Sequence, residues 1–277
     1  MGYERRYNDA LTIKDKERFV GYMQDEQPVK PANILNIVAT NQGKRPLTME
    51  TPYATPLTSD KVKELMTAGV VVVDTRPSAL FGSGHIPGAY NMQLSSGEFE
   101  QRVGWVVPDN SRIVFVTEDD ADAQAAIFKM AFIALDSFVE GFLAGGINSW
   151  MADGNVLATV PQMDVHTLKH RLSVNGLQVL DVRESDEWDE GHIEGAHLMS
   201  YTSLVPQLDI PAQIDQLDLT KDQHIAITCA TGMRSSTAVS VLAREGYKHL
   251  YNVTGGMEAW KNAGFKMLDG QGQVCNI

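Results

Sequence analysis

The residues of this chain best suited to chemistry are Cys229-Ala-Thr-Gly-Met-Arg234. The β-branched run Ile225 to Thr228 predicts a buried strand that ends at the cysteine. From Ser235 the pattern turns helical through Val239, Val241 and Leu242, and it stops at Gly246. The six residues between must curl tightly around the sulfur, with their backbone N–H groups turned inward as an anion-binding nest. The positive end of the following helix and the charge of Arg234 add to that field, and each favours thiolate over thiol. A thiolate in such a cradle is a nucleophile at neutral pH. Gly232 suits a loop position with positive φ, or one where a Cβ would block the bowl. Without that setting, a cysteine at a strand end is a small buried hydrophobe.

The Cys-x-x-Gly-x-Arg loop resembles the active-site loop of the rhodanese family, and its flanks extend the likeness. Upstream stand Val179-Leu-Asp-Val-Arg183, Glu187-Trp188 and Gly191-His-Ile-Glu-Gly-Ala196; downstream stands Gly255-Gly-Met-Glu-Ala-Trp260. The resemblance implies a cysteine that takes a sulfane sulfur as a persulfide and passes it to a second nucleophile. Donors would be thiosulfate or glutathione persulfide, and acceptors a thiol or cyanide. Cys229 and Arg234 are then the expected catalytic residues, with Ala230, Thr231, Gly232, Met233 and Ser235 binding substrate. No cofactor and no metal are implied.

Two other classes use similar parts. Cysteine phosphatases and arsenate reductases place five residues between Cys and Arg, which widens the bowl for a tetrahedral oxyanion. Here four intervene, Ala230 to Met233, so the bowl suits a single sulfur better. A sulfur carrier that serves a separate hydrolase would need the same persulfide. Rapid turnover with a small donor separates the enzyme from the carrier.

The elements that position the loop occur twice. Asp74-Thr-Arg76 matches Asp181-Val-Arg183, and Gly84-His-Ile-Pro-Gly-Ala89 matches Gly191 to Ala196. The strand Ile113 to Val116 matches Ile225 to Thr228, and Gly145-Gly-Ile-Asn-Ser-Trp150 matches Gly255 to Trp260. Such a repeat predicts two domains of one fold. The expected architecture is α/β: two tandem rhodanese-like domains, each a mostly parallel central sheet flanked by helices. The expected boundaries are an N-terminal extension and linker (1–57), a first domain (58–155), a second (163–268) and a flexible tail (269–277). Thr58 to Met66 should form a capped helix before the strand Val70 to Asp74; Asp164 to Leu172 should form an amphipathic helix before the strand Leu177 to Val182.

The repeats diverge at the loop. Thr117 stands at the cysteine position, Asp120 at the glycine and Asp122 at the arginine. Threonine offers no accessible oxyanion at neutral pH, and Glu118, Asp119, Asp120 and Asp122 would repel an anion. The first domain is therefore expected to lack sulfur chemistry and to serve packing and orientation. Its acidic cluster lacks an EF-hand pattern and reads as a solvated turn. Asp181, Arg183 and His192 recur there as Asp74, Arg76 and His85, which marks them as structural. Arg183 should pair with a nearby carboxylate such as Glu187 or Glu184. Trp188 and Trp260, matched by Phe81 and Trp150, read as core. What the second repeat alone has is Cys229, Gly232, Arg234 and the hydroxyls of Thr231, Ser235 and Ser236.

Composition sets the outer bounds. A chain of 277 residues, 43% hydrophobic, has the length of about two domains. A formal net charge of −12 argues against nucleic acid and anionic membranes as partners. Two cysteines are too few for a disulfide framework and fit a reducing cytosol. No apolar run approaches a membrane span, and the start from Met1 to Tyr7 is too charged for a signal peptide, so a soluble cytoplasmic protein is expected. His166 and His170 have i,i+4 spacing without further ligands and read as a helix surface. Cys275, in a glycine-rich end, could act as a resolving thiol only if the tail reaches Cys229.

Residues 1–50 suggest short helices at Ile13 to Met23 and Ile34 to Val38, broken by Pro28 and Pro31. Gly2 to Arg6, Asn8 to Leu11, and Pro28 to Pro31 with Ile34 and Ile37 resemble the segment after the metallo-β-lactamase-like domain of hydrolase–rhodanese fusions of the persulfide dioxygenase type. That resemblance implies a metallo-β-lactamase-fold domain or protein as a partner. The metal-binding His-x-His-x-Asp-His cluster of those hydrolases is absent, so no dioxygenase activity carries over.

Overall fold

Short apolar runs make the central strands of two five-stranded sheets. The computed structural model describes residues 4–24, 29–50, 52–174 and 176–275. The first sheet holds β1 (Pro56–Leu57), β2 (Val71–Asp74), β3 (Tyr90–Asn91), β4 (Ile113–Val116) and β5 (Val139–Leu143), in the order β1-β5-β4-β2-β3. The second holds β6 (Gln162–Met163), β7 (Leu177–Asp181), β8 (His197–Leu198), β9 (His224–Thr228) and β10 (His249–Val253), in the matching order β6-β10-β9-β7-β8. Every strand pair in both sheets is parallel. Helices cover both faces of such a sheet, so its strands need no polar alternation and can run as Val-Val-Val-Asp or Ile-Val-Phe-Val. The fold is the tandem α/β architecture that the repeat predicts.

The two domains share a core. One apolar cluster runs from Val62, Phe81, Phe115 and Leu143 of the first domain to Leu180, Ile227, Val239 and Leu242 of the second. The far face of the second sheet has a separate core around Leu168, Val179, Val253 and Trp260. Hydrogen bonds reinforce the junction. In the helix Met233–Arg244, Ser236 Oγ donates to Asn91 Oδ1 (2.5 Å) and Thr237 Oγ1 to the Asn91 carbonyl (2.8 Å). Asn91 N–H in turn donates to Ser240 Oγ (3.1 Å). Asn91 is itself pinned, because its Nδ2 donates to the carbonyls of Asp74 and Arg76.

The segments outside the two domains are more tied down than an extension and a flexible tail would be. Residues 31–57, within the expected extension and linker, are tied to the first domain. Asn33 Nδ2 donates to the Ile133 carbonyl (2.9 Å), Gln124 Nε2 donates to the Pro52 carbonyl (2.6 Å), and β1 pairs with β5. These residues carry the polar groups that finish the edge of the first sheet; Thr51 lies outside the described residues. The expected flexible tail is also tied down. Val274 bridges Leu268, and Cys275 N–H donates to the Met267 carbonyl (3.0 Å). The final two residues lie outside the described range.

Residues 1–30 form a unit apart from the rest. Within it Glu4–Tyr7, Asp9–Thr12 and Lys16–Gln24 are helical, and the last has no buried residue. The Gly2–Tyr3 part of the N-terminal resemblance, and Pro28, lie outside the described residues. Ile34–Asn41 extends the short helix expected from Ile34.

Candidate active site

Strand β9 delivers Cys229, and the helix Met233–Arg244 begins directly after Gly232. Gly232 has φ +99°, the left-handed region that the loop requires, and a Cβ there would come 3.1 Å from the Val253 carbonyl. Its N–H donates to Cys229 Sγ at 3.1 Å. Among the described residues this is the loop amide that reaches the sulfur, so the cradle around the resting thiol is narrower than the Ala230-to-Ser235 nest expected from sequence. The thiol donates to Ser235 Oγ at 3.6 Å, and Ser235 spends its own proton on Asn252 Oδ1 at 2.6 Å. Asn252 Nδ2 continues the chain to Gln162 Oε1 at 2.9 Å. Ser236, whose hydroxyl the second repeat alone has, faces Asn91 of the first domain.

The second glycine doublet brings a helix end against the loop carbonyls. The helix Gly256–Asn262 presents its first N–H groups to the loop: Met257 donates to the Cys229 carbonyl (2.7 Å) and Glu258 to the Ala230 carbonyl (3.0 Å). These two bonds fix the Cys229 and Ala230 carbonyls toward the incoming helix. Gly256 makes the approach feasible, because its φ is +52° and a Cβ there would strike both carbonyl oxygens. Gly146 plays the same part against Thr117 in the first domain, at φ +58°. Gly256→Ala is expected to cost about 1–3 kcal/mol of stability from backbone strain alone. Denaturant unfolding checks this, and an unchanged midpoint would contradict the close approach.

Arg234 is not aimed freely at the loop. Its Nη1 and Nη2 donate to the two Glu187 oxygens at 2.6 Å each, a bidentate pair. Burial alone would lower the Arg234 pKa; the Glu187 hydrogen bond and the nearby Cys229 and Glu98 charges outweigh it and hold it above the arginine range. The Glu187 carboxyl is held below its ordinary 4.5, first by the Arg234 hydrogen bond and against the effect of burial. A lowered folded pKa gives stability that is present above the unfolded value and is lost as pH falls through the folded one. The stability gap between the native chain and Glu187→Gln should therefore be flat near neutrality and shrink below about pH 4.5. Thermal melts across that range measure it, and a gap that widens on acidification would contradict the pairing.

Glu187 corrects an expectation. Arg183 pairs with neither Glu187 nor Glu184 through a carboxylate. It folds back on Asp181, two residues earlier, with Nη2 to Oδ2 at 2.7 Å, and also donates to the carbonyls of Glu187 and Gly191. Arg76 repeats this with Asp74 (2.6 Å) and the Gly84 carbonyl (2.8 Å). His192 stacks on Trp188 at 3.7 Å, as His85 does on Phe81. Trp260 is core, whereas Trp188 is half-buried.

A cavity of about 520 Å³ opens over the loop between the domains. Ala230, Thr231, Met233 and Arg234 line it from the second domain, with Glu184, Glu187 and Tyr201. Ser96, Glu98 and Arg102 line it from the first. These first-domain residues belong to no motif, and sequence reasoning missed them. A second cavity of about 580 Å³, at Leu47, Met49, Phe128 and Phe132, is lined by no residue of the Cys229 loop.

In the first domain Thr117 is buried and its hydroxyl has no hydrogen-bond partner. Asp119 caps the helix Asp120–Ala131, and Asp120 accepts the Gly145 N–H at 3.1 Å. His166 and His170 lie exposed on the helix Val165–Leu172. Among the described residues no group of three or more His, Cys, Asp or Glu is placed to hold a metal. Both cysteines are free, and Cys275 Sγ lies 3.6 Å from the Glu190 carbonyl. No described helix is long and apolar enough to cross a membrane.

Two parallel five-stranded α/β units, one with a cysteine cradled at a strand end, define a tandem rhodanese-type fold. The chain belongs to the rhodanese-like domain family, whose profile matches residues 58–153 and 164–263. It is 37% identical over 111 residues to the Arabidopsis thaliana protein HIGH ARSENIC CONTENT 1, mitochondrial, covering 38% of this chain and 64% of that protein. The match thus spans slightly less than two thirds of that relative. Thiosulfate sulfurtransferase 18 of Arabidopsis thaliana is 36% identical over 112 residues, 38% of this chain and 82% of that protein. Thiosulfate sulfurtransferase of Azotobacter vinelandii is 21% identical over 250 residues, 74% of this chain and 92% of that protein, a likeness that extends across both domains.

Proposed function

We propose that the chain is a rhodanese-type sulfurtransferase. The observation that carries this reading is the buried Cys229 sulfur at a strand end, held by the Gly232 N–H under a cavity between the domains. Relatives named thiosulfate sulfurtransferases support it. The Cys229 thiolate attacks the outer sulfur of thiosulfate; the S–S bond breaks and sulfite leaves with the bonding pair. The product is a Cys229 persulfide anion, which the Gly232 N–H that already reaches the sulfur helps to hold. An acceptor thiolate or cyanide then attacks the outer sulfur, takes it, and returns Cys229 as thiolate. With a low-molecular-weight persulfide as donor, the departing group is the parent thiolate.

Arg234 contributes positive charge beside the sulfur while Glu187 fixes its orientation. Asp181, Arg183 and His192 hold the fold, as their counterparts do in the first domain. That domain transfers no sulfur, because Thr117 replaces the nucleophile. The exposed Phe19, Val20 and Tyr22 of the N-terminal unit support a further partner, of metallo-β-lactamase fold, that the resemblance of this segment implies. Steady-state formation of thiocyanate from thiosulfate and cyanide tests the central reading. Turnover in the native chain supports an enzyme, and transfer only between protein cysteines supports a carrier instead.

A further inference from the structure

In the cavity between the domains, Arg102 stands out. It lies on the helix Phe99–Val106 of the first domain and is 4% exposed. Its Nη2 donates to the Glu98 carboxylate at 3.0 Å, but its Nε and Nη1 are buried with no hydrogen-bond partner. A buried guanidinium with unmet donors carries a desolvation cost that an arriving acceptor relieves. The other charged groups of the cavity are engaged: Arg234 holds Glu187, and Glu184 accepts from Ser200 Oγ at 2.5 Å. Glu98 is half exposed, so water can replace Arg102 as its partner. The cavity, at about 520 Å³, has the size of sites for organic ligands and far exceeds what thiosulfate fills.

We propose that Arg102 binds the carboxylate of an organic thiol or persulfide whose sulfur end reaches Cys229. The first domain then supplies selectivity for a reaction carried out by the second. The identity of the sulfur end rests on the sulfurtransferase reading; the carboxylate site rests on Arg102 alone. A planar guanidinium with free donors matches a carboxylate better than an ammonium would. An incoming carboxylate displaces Glu98 and satisfies donors that the resting site leaves unmet.

The test is equilibrium binding of two matched thiols, 3-mercaptopropionate and 2-mercaptoethanol, to the full chain carrying Cys229→Ser, followed by NMR titration. The carboxylate thiol should bind more tightly. Adding Arg102→Gln should weaken it about tenfold and leave 2-mercaptoethanol unchanged, and Arg102→Lys should recover part of the loss. The 2-mercaptoethanol titration also shows that each variant keeps its site. Equal affinities for both thiols, or equal losses on Arg102→Gln, would overturn the assignment. Sulfur uptake is measured separately on the native Cys229: if it fails while the Arg102 dependence holds, the transfer reading falls and the carboxylate site stands.

Discussion

Replacing Cys229 by serine is expected to lower sulfur transfer by at least about 10³-fold while leaving the fold intact. The side chains are nearly isosteric, and the Gly232 N–H that reaches Sγ at 3.1 Å can donate to a hydroxyl as well. Chemistry is what changes. A serine hydroxyl is not ionised near neutral pH and cannot store a sulfane sulfur as a persulfide, so the covalent route closes. The first domain already contains a related replacement, with Thr117 buried at the end of β4 and its hydroxyl unpartnered. Cys275→Ser is the matched control, since Cys275 packs against Gly191 and Met267 and not into the Cys229 loop. Thiocyanate production by the two variants checks the claim. Substantial turnover by Cys229→Ser would remove the persulfide from the mechanism.

Asp181→Ala is expected to destabilise the chain by about 3–5 kcal/mol. Asp181 is fully buried at the end of β7 and accepts from the backbone N–H, Nε and Nη2 of Arg183. Removing it leaves a guanidinium that is almost entirely buried without its counter-charge, which is the costly way to break such a pair. Asp74→Ala should cost a similar amount, because Arg76 makes the same contacts with Asp74 in the domain where Thr117 stands at the cysteine position. Urea unfolding of the two variants measures both losses. If Asp181→Ala kept its stability but lost turnover, the residue would belong to the chemistry and not to the scaffold.

Much of this was legible in the sequence because the chain carries its own comparison. Asp74, Arg76 and His85 survive beside a threonine, so their partners Asp181, Arg183 and His192 could be read as scaffold. Glu187 was open to the same comparison. The alignment that pairs Phe81 with Trp188 places Leu80 opposite Glu187, and Asp122 already stands opposite Arg234. Both members of the ion pair are therefore absent from the first domain, which is the signal that they pair with each other. Nearby acidic residues drew Arg183 to the wrong partner instead, because sequence proximity does not show that a side chain folds back at a strand end.

Other parts were not legible from local patterns. Glu98 and Arg102 line one cavity with the Cys229 loop through the packing of two domains, and no spacing rule reports that. The glycine doublet at Gly255-Gly256 was visible as a motif, but its purpose depends on a helix end arriving at the Cys229 and Ala230 carbonyls. Residues 31–57 read as part of an extension and linker because their stabilising contacts, Asn33 to Ile133 and β1 to β5, are all distant in sequence.

The most direct measurement is the intact mass of the native chain after incubation with thiosulfate, and separately with glutathione persulfide. A gain of one sulfur, about 32 Da, that maps to Cys229 and disappears on adding cyanide is the predicted result. No gain with either donor, together with hydrolysis of an aryl phosphate, would contradict sulfur transfer and point to a cysteine phosphatase.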